Sequence, residues 1–218
     1  MAASFSPRDA EAADCRADAA PEVDWSDCTK KNLMLSGNDF TGANFRGADL
    51  SLTDMRNTTL TAADLEKATL IRTWFNDARL DKANFARVEA YRSGFKNAFA
   101  QGASFASAEL QRASFNGADL SHANFAKADL SRADFDNAIL SGASFAYANL
   151  SRADLSQANV EGTLGFDRAF MLLTRIEGLD LSRATGLDQS QIDIACGDAE
   201  TKLPKGLTVP TGWPCAKD

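Results

Sequence analysis

Few side chains in this 218-residue chain belong to the kinds that carry out covalent or proton-transfer chemistry. His122 is the single histidine, which leaves almost nothing for histidine-dependent acid–base catalysis or a histidine-rich metal site. Four cysteines fall as two pairs, Cys15 with Cys28 near the start and Cys196 with Cys215 near the end. An even count, paired by position, reads as two local disulfides formed in an oxidising compartment; the alternative is four free thiols in a cytosolic protein. No phosphate-binding loop, zinc-protease motif or nucleophile elbow occurs. Asp, Asn and Ser are abundant, as at Asp49, Asp119 and Asp129. They recur so regularly that bonding to turn backbone explains them better than a carboxylate pair does. No catalytic residue, cofactor or metal is assigned, and the chain reads as not an enzyme.

Two other sets have the right types and spacing to bind something. Arg72, Arg92, Arg112, Arg132 and Arg152 are each 20 residues apart. If residues 20 apart stack, these five charges form one stripe suited to sulfate, phosphate, an acidic glycan or a partner's acidic edge. The competing reading is that carboxylates neutralise them: Asp134 and Asp154 lie two residues along, and Glu89, Glu109 and Asp129 form a column just before. Trp74, Tyr91, Phe99 and Tyr147 fall at outward positions and form a candidate aromatic patch, with scattered single surface aromatics as the alternative. Tyr91 shares a column with Ile71.

The element that must position these residues has a period of five. From Leu35 to Val160, all 26 positions taken at steps of five are apolar, and ten of them are Phe. The residue two before each is Ala in 19 of the 26 cases. A strict period of five matches neither a helix at 3.6 nor a strand at 2, and over this length would smear round a helix. The chain must instead coil, returning each unit to an equivalent place, with layers stacked ~4.8 Å apart. The bulky residue fills the axis and Ala sits where only a small side chain fits.

The runs Ala48-Asp49-Leu50-Ser51-Leu52, Ala118-Asp119-Leu120-Ser121-His122 and Ala128-Asp129-Leu130-Ser131-Arg132 closely resemble the pentapeptide-repeat family. The resemblance covers residues 31–187 and implies an all-β solenoid. The implied form is a right-handed quadrilateral β-helix of about 7–8 coils, one pentapeptide per side, with short irregular or helical caps. On that geometry Phe85, Phe95, Phe105, Phe115, Phe125, Phe135 and Phe145 form the core stack, Phe facing Phe and Leu facing Leu across the axis. Ala90 and Ala100 should loosen neighbouring layers, with a tilted Phe95 filling the space. A one-residue shift near 161–164 restores the pattern at Phe166, Met171, Ile176 and Leu181, as a bulge would.

Three parts follow: residues 1–30 as an N-terminal irregular segment and cap, 31–187 as the β-helix, and 188–218 as a C-terminal cap helix and tail. Trp25 is a candidate plug on the first coil. Asp188 to Ala195 reads as a short helix with Asp188 as N-cap and Gly197 as its stop. Ile192 and Ala195 should face the last coil. The tail resembles one found on a subset of bacterial members of the family. A rod would hold the two cysteine pairs apart, so one metal shared by all four is disfavoured. Met1–Ala13 has no apolar signal-peptide core, and Glu11–Asp14 is a candidate start of a mature exported chain.

A net charge of −7, from 23 basic and 30 acidic residues, disfavours direct nucleic-acid binding. No apolar run approaches the ~18 residues of a membrane span. These features point to a non-catalytic structural or protein-interaction scaffold, periplasmic or secreted, with an unknown protein partner, as a monomer or weak homodimer. The alternative class is a cytoplasmic, DNA-mimicking modulator of a type II topoisomerase (gyrase). Quinolone-resistance members of the family resemble the chain in length, repeat and acidic charge, and act as dimers joined at their C-terminal ends. The cap cysteines, the polar C-terminal helix and tail, and the arginine column depart from that pattern.

Overall fold

Residues 21–160 repeat one local conformation, two turn residues, the small inward residue, one bridged residue and the bulky inward residue, in a computed structural model that describes residues 13–215. Almost all of the segment read as lacking a signal-peptide core therefore lies outside the described residues. Each bridge is parallel and joins residues 20 apart, beginning at Asp24↔Asn44 and running to Ile139↔Asn159. The chain thus lies in layers of 20 residues. The layers are tied by backbone bonds such as Phe95 N–H to Ser114 O at 2.7 Å and Asn84 N–H to Ala63 O at 2.9 Å.

The turn explains why five residues suffice per side. The small residue's N–H closes on the carbonyl three before it, as Ala98 N–H does on Phe95 O at 3.1 Å. The residue just before the small one takes a left-handed φ, as the third position of a type II turn requires. Among the described residues 23 other than glycine sit there, Arg112 at φ 59° and Tyr147 at φ 60° among them. That conformation costs an L-residue about 1–2 kcal/mol, and layer-to-layer bonds such as Arg92 N–H to Gln111 O at 3.0 Å hold it in place. The recurrent carboxylates and amides secure the other side of the turn: the N–H groups of Ser51, Ser121 and Ser131 donate to the side chains of Asp49, Asp119 and Asp129.

Inside, 24 of the 26 period-five positions are fully buried, while Leu35 and Val160 at the two limits are half-buried. The Phe rings stack in ladders along the axis. Phe95 stacks on Phe75 and Phe115 at interplanar angles of 10°. It meets Phe85 and Phe105 edge-on at 85° and 86°. Phe95 is therefore not tilted to fill the space beside Ala90; the buried Val88, at a position otherwise mostly Ala, adds volume there instead.

The N-terminal end differs from its expected form. The bridges begin at Asp24 and Thr29, inside the segment read as a cap. Trp25 is not a separate plug but a core residue of this first layer, its ring 5.5 Å from that of Phe40 and its Nε1–H donating to Ala17 O at 3.2 Å. Lys30 occupies the next core position, with Nζ 3.6 Å from the Trp25 ring centroid. Burial lowers the pKa of this ammonium, against the pull of Asp14 and Asp18.

Beyond Asn159 the bridge spacing becomes 21 at Ser144↔Gly165 and Asn149↔Phe170, which places one extra residue between 159 and 165. The chain then closes with helix α1, Gln189–Ile194. Asp188 caps it reciprocally, accepting from Gln191 N–H while Gln191 Oε1 accepts from Asp188 N–H. Ile192 and Ala195 are buried against the last layer. The helix ends at Ala195, before Gly197. Gly197 is not its stop; a side chain there would overlap the Trp213 ring, so the glycine admits that ring to the cap. Trp213 Nε1–H donates to Ala195 O at 2.7 Å.

Candidate interaction surface

Each sequence-derived candidate can now be placed on a side of the stack. The arginines form a true column: Arg72 N–H donates to Tyr91 O, Arg92 to Gln111 O, Arg112 to Ser131 O and Arg132 to Ser151 O, each one layer on. All five side chains are exposed at turn corners with left-handed φ. The neutralising carboxylates do not reach the first four of them. Among the described residues no carboxylate lies within ion-pair distance of Arg72, Arg92, Arg112 or Arg132. Asp154 pairs instead with Arg175 at 3.2 Å, and Asp129 accepts from Gln111 Nε2 at 2.9 Å.

The acidic residues just before this corner also stack, through the bridges Glu89↔Glu109 and Glu109↔Asp129. One side of the rod therefore carries an acidic column and a basic column in the same three layers.

The four aromatics are exposed but are not one patch; no two of their rings make a ring contact among the described residues. Three lie under arginines, Tyr91 with Arg92 at 5.2 Å, Phe99 with Arg79 at 5.8 Å and Tyr147 with Arg168 at 5.5 Å. Trp74 leans over Gly94, where a side chain would meet its ring. Met34, Phe170 and Leu172, which sequence reasoning did not single out, are exposed as well. Leu172 and Leu173 line a groove of about 450 Å³ beside Ile194, Pro210 and Trp213 at the C-terminal end. The signal for it was a change of residue type, Leu173 standing where the column below carries arginine. His122 is an exposed turn residue at φ 60°.

Both ends are covalently closed. Cys15 is bonded to Cys28 and Cys196 to Cys215, with Cα–Cα distances of 5.5 Å and 5.4 Å. Cys28 fills a position that elsewhere is usually Ala, so its bond anchors the chain entrance directly to the first layer. Among the described residues no helix is long and apolar enough to cross a membrane.

A model of pentapeptide repeats in eight copies matches residues 39–77, and one of a pentapeptide repeat region matches residues 68–145. The chain belongs to the pentapeptide-repeat family. Full-length QnrB1, a plasmid-mediated fluoroquinolone resistance protein, has a similar structure at a TM-score of 0.57 and 23% identity, over 83% of this chain and 86% of that one. A trypsin-treated variant of QnrB1 gives 0.53 and 22%, over 81% and 90%. HetL, a pentapeptide repeat protein involved in heterocyst differentiation regulation in the cyanobacterium Nostoc sp. strain PCC 7120, gives 0.34 and 23%, over 85% and 91%. At these identities the likeness to QnrB1 is one of fold. The curated proteins contain no significant match. For a pentapeptide-repeat protein the candidate surface is thus the side of the stack, where every fifth residue repeats one geometry with a different side chain.

Proposed function

We propose that this pentapeptide-repeat protein is a non-catalytic interaction scaffold that works outside the cytoplasm, periplasmic or secreted. Its stack is a right-handed four-sided β-helix of about 7–8 coils. An N-terminal cap precedes the stack, which the sequence sets at 31–187 and the bridges extend back to Asp24, and a C-terminal cap over 188–218 follows. The observation that carries the reading is a disulfide at each end of a bridged stack whose sides present regular columns of exposed side chains. Disulfides at these positions persist only where thiols are not kept reduced. The regular columns suit a protein partner, reached through the arginine corner or the exposed aromatics.

A second reading takes its support from the fold shared with QnrB1 and the net charge of −7: a cytoplasmic modulator of gyrase acting as a DNA mimic. It is weakened by the exposed arginine column, which breaks up any continuous anionic face, and by the disulfides. Thiol trapping in the producing cells, followed by intact-mass measurement with and without reductant, separates the two. Four thiols shielded until reduction support the exported scaffold. Four free thiols, together with protection of gyrase supercoiling against a fluoroquinolone, would overturn it in favour of the second reading.

A further inference from the structure

The side of the rod bearing residues 88–92, 108–112 and 128–132 holds charged side chains that form no ion pair among the described residues. Glu89 and Glu109 are exposed and make no side-chain hydrogen bond or ion pair among the described residues. Asp129 extends their column one layer, its oxygens taken by Ser131 N–H, Asn149 Nδ2 and Gln111 Nε2 rather than by a cation. Three residues along in each layer stand Arg92, Arg112 and Arg132, exposed and without an ion pair among the described residues. Like charges directly opposite on paired strands destabilise. Here both columns stack like on like, ~4.8 Å apart, and in these three layers no ion pair among the described residues relieves either of them.

A lone polyanion suits the arginine column poorly, since the acidic column runs beside it in the same layers. The surface that fits has columns of both signs, in the opposite order across its width, with the same layer spacing. This chain has that surface. We propose that two copies associate side by side through this face, with their rods parallel. A two-fold axis parallel to the stacking direction sets Arg92, Arg112 and Arg132 of each copy opposite Glu89, Glu109 and Asp129 of the other, layer for layer. A two-fold axis across the rods would set arginine on arginine. Tyr91, Gln111 and Ser131, between the columns, fall near the axis. Such an interface is self-complementary, as a two-fold requires. Its area, at most on the order of 1,000 Å² for a face of this length, makes the dimer weak and salt-sensitive. The inference does not depend on the scaffold reading or on where the protein works.

Sedimentation of the full, oxidised chain tests it. The expected result is a concentration-dependent dimer at low ionic strength that dissociates in several hundred millimolar salt. The triple variant Arg92→Glu/Arg112→Glu/Arg132→Glu and the double variant Glu89→Arg/Glu109→Arg should each self-associate at least about tenfold more weakly. Mixed together they should form a one-to-one complex tighter than the wild-type dimer, a gain that misfolded variants would not give. Circular dichroism and melting temperature serve as fold controls. Gln111→Cys should cross-link to its own counterpart on oxidation. A wild-type chain that stays monomeric at low salt and high concentration would overturn the proposal. So would a dimer indifferent to these substitutions, or a monomer that instead captures heparin fragments through Arg92, Arg112 and Arg132.

Discussion

Phe115 shows what one residue does in a stack of identical environments. Its ring lies parallel to Phe95 at 4.9 Å and to Phe135 at 5.1 Å, and edge-on to Phe105 and Phe125 at 5.7 Å and 5.6 Å. The side chain is fully buried, so truncation opens a cavity that two layers above and two below cannot collapse to fill. Phe115→Ala is expected to cost about 3–5 kcal/mol in urea unfolding. Phe115→Leu, which keeps most of the volume but loses ring pairs worth about 0.5–1.5 kcal/mol each, should cost clearly less. Equal costs for the two would mean that cavity formation is not what the ladder resists. The small position is as demanding in the opposite sense. Ala118 is fully buried at a turn closed by its own N–H on Phe115 O at 2.9 Å. Ala118→Leu should therefore overpack the site by about 1–3 kcal/mol.

At the scale of the element, the C-terminal cap depends on a few polar groups rather than on length. A six-residue helix is too short to hold itself together. Gln191, buried in its first turn, donates to Phe166 O at 2.8 Å, which Ala169 N–H also bonds, and to Ala169 O at 2.9 Å, which no other group bonds among the described residues. Gln191→Ala should cost about 1–3 kcal/mol through the orphaned Ala169 carbonyl, and Asp188→Ala about 1 kcal/mol through the lost N-cap, both read as earlier melting of the cap. Acid should loosen the same region. The Ser182 hydroxyl, then Lys202, bond the Asp180 carboxylate and pull its pKa from 3.8 down to about 2. Bonds from Ser190 and from Gly178 N–H likewise lower Asp188 and Asp198. Folded values below the unfolded ones give stability that is complete above the unfolded pKa and is lost as pH falls through the folded one. Protection of the cap amides relative to their intrinsic exchange rates should thus be flat down to about pH 4 and fall towards pH 2; unchanged protection there would contradict these assignments. Much of this element was legible beforehand, because an N-cap and an apolar face are local signals. Gln191 and the Gly197–Trp213 contact were not, since their partners lie one turn of the stack or a whole tail away. The same distance hid the hydroxyls of Thr53 and Thr73, which replace Ala at the small position and donate to Lys30 O and Leu50 O, 23 residues back. Lys30 escaped notice because a core register predicts an apolar residue, and only the Trp25 face makes an ammonium acceptable there.

For the whole molecule, stability is a sum over neighbouring layers, because each layer touches only those above and below. Such a stack fails from its ends unless the ends are held, and here each is held by one disulfide. Cys15–Cys28 closes a separation of 13 residues and Cys196–Cys215 one of 19, each worth about 3 kcal/mol on the chain-entropy account. That stabilisation is confined to the terminal layers; the middle, with its uninterrupted bridges from Asp39 to Asn159, gains nothing from it directly. Reduction should therefore not unfold the protein at room temperature. It should shift the order of opening. In the oxidised chain the first backbone amides to exchange should belong to the break in the bridges at the extra residue between Asn159 and Gly165. In the reduced chain the first should be those of residues 21–30 and 188–207, with protection lost inward layer by layer. Hydrogen exchange followed by mass spectrometry, with and without reductant, reads this order. Simultaneous loss of all layers on reduction would show that the disulfides secure the whole cooperative unit, and that the layers do not behave as a one-dimensional array held at its two ends.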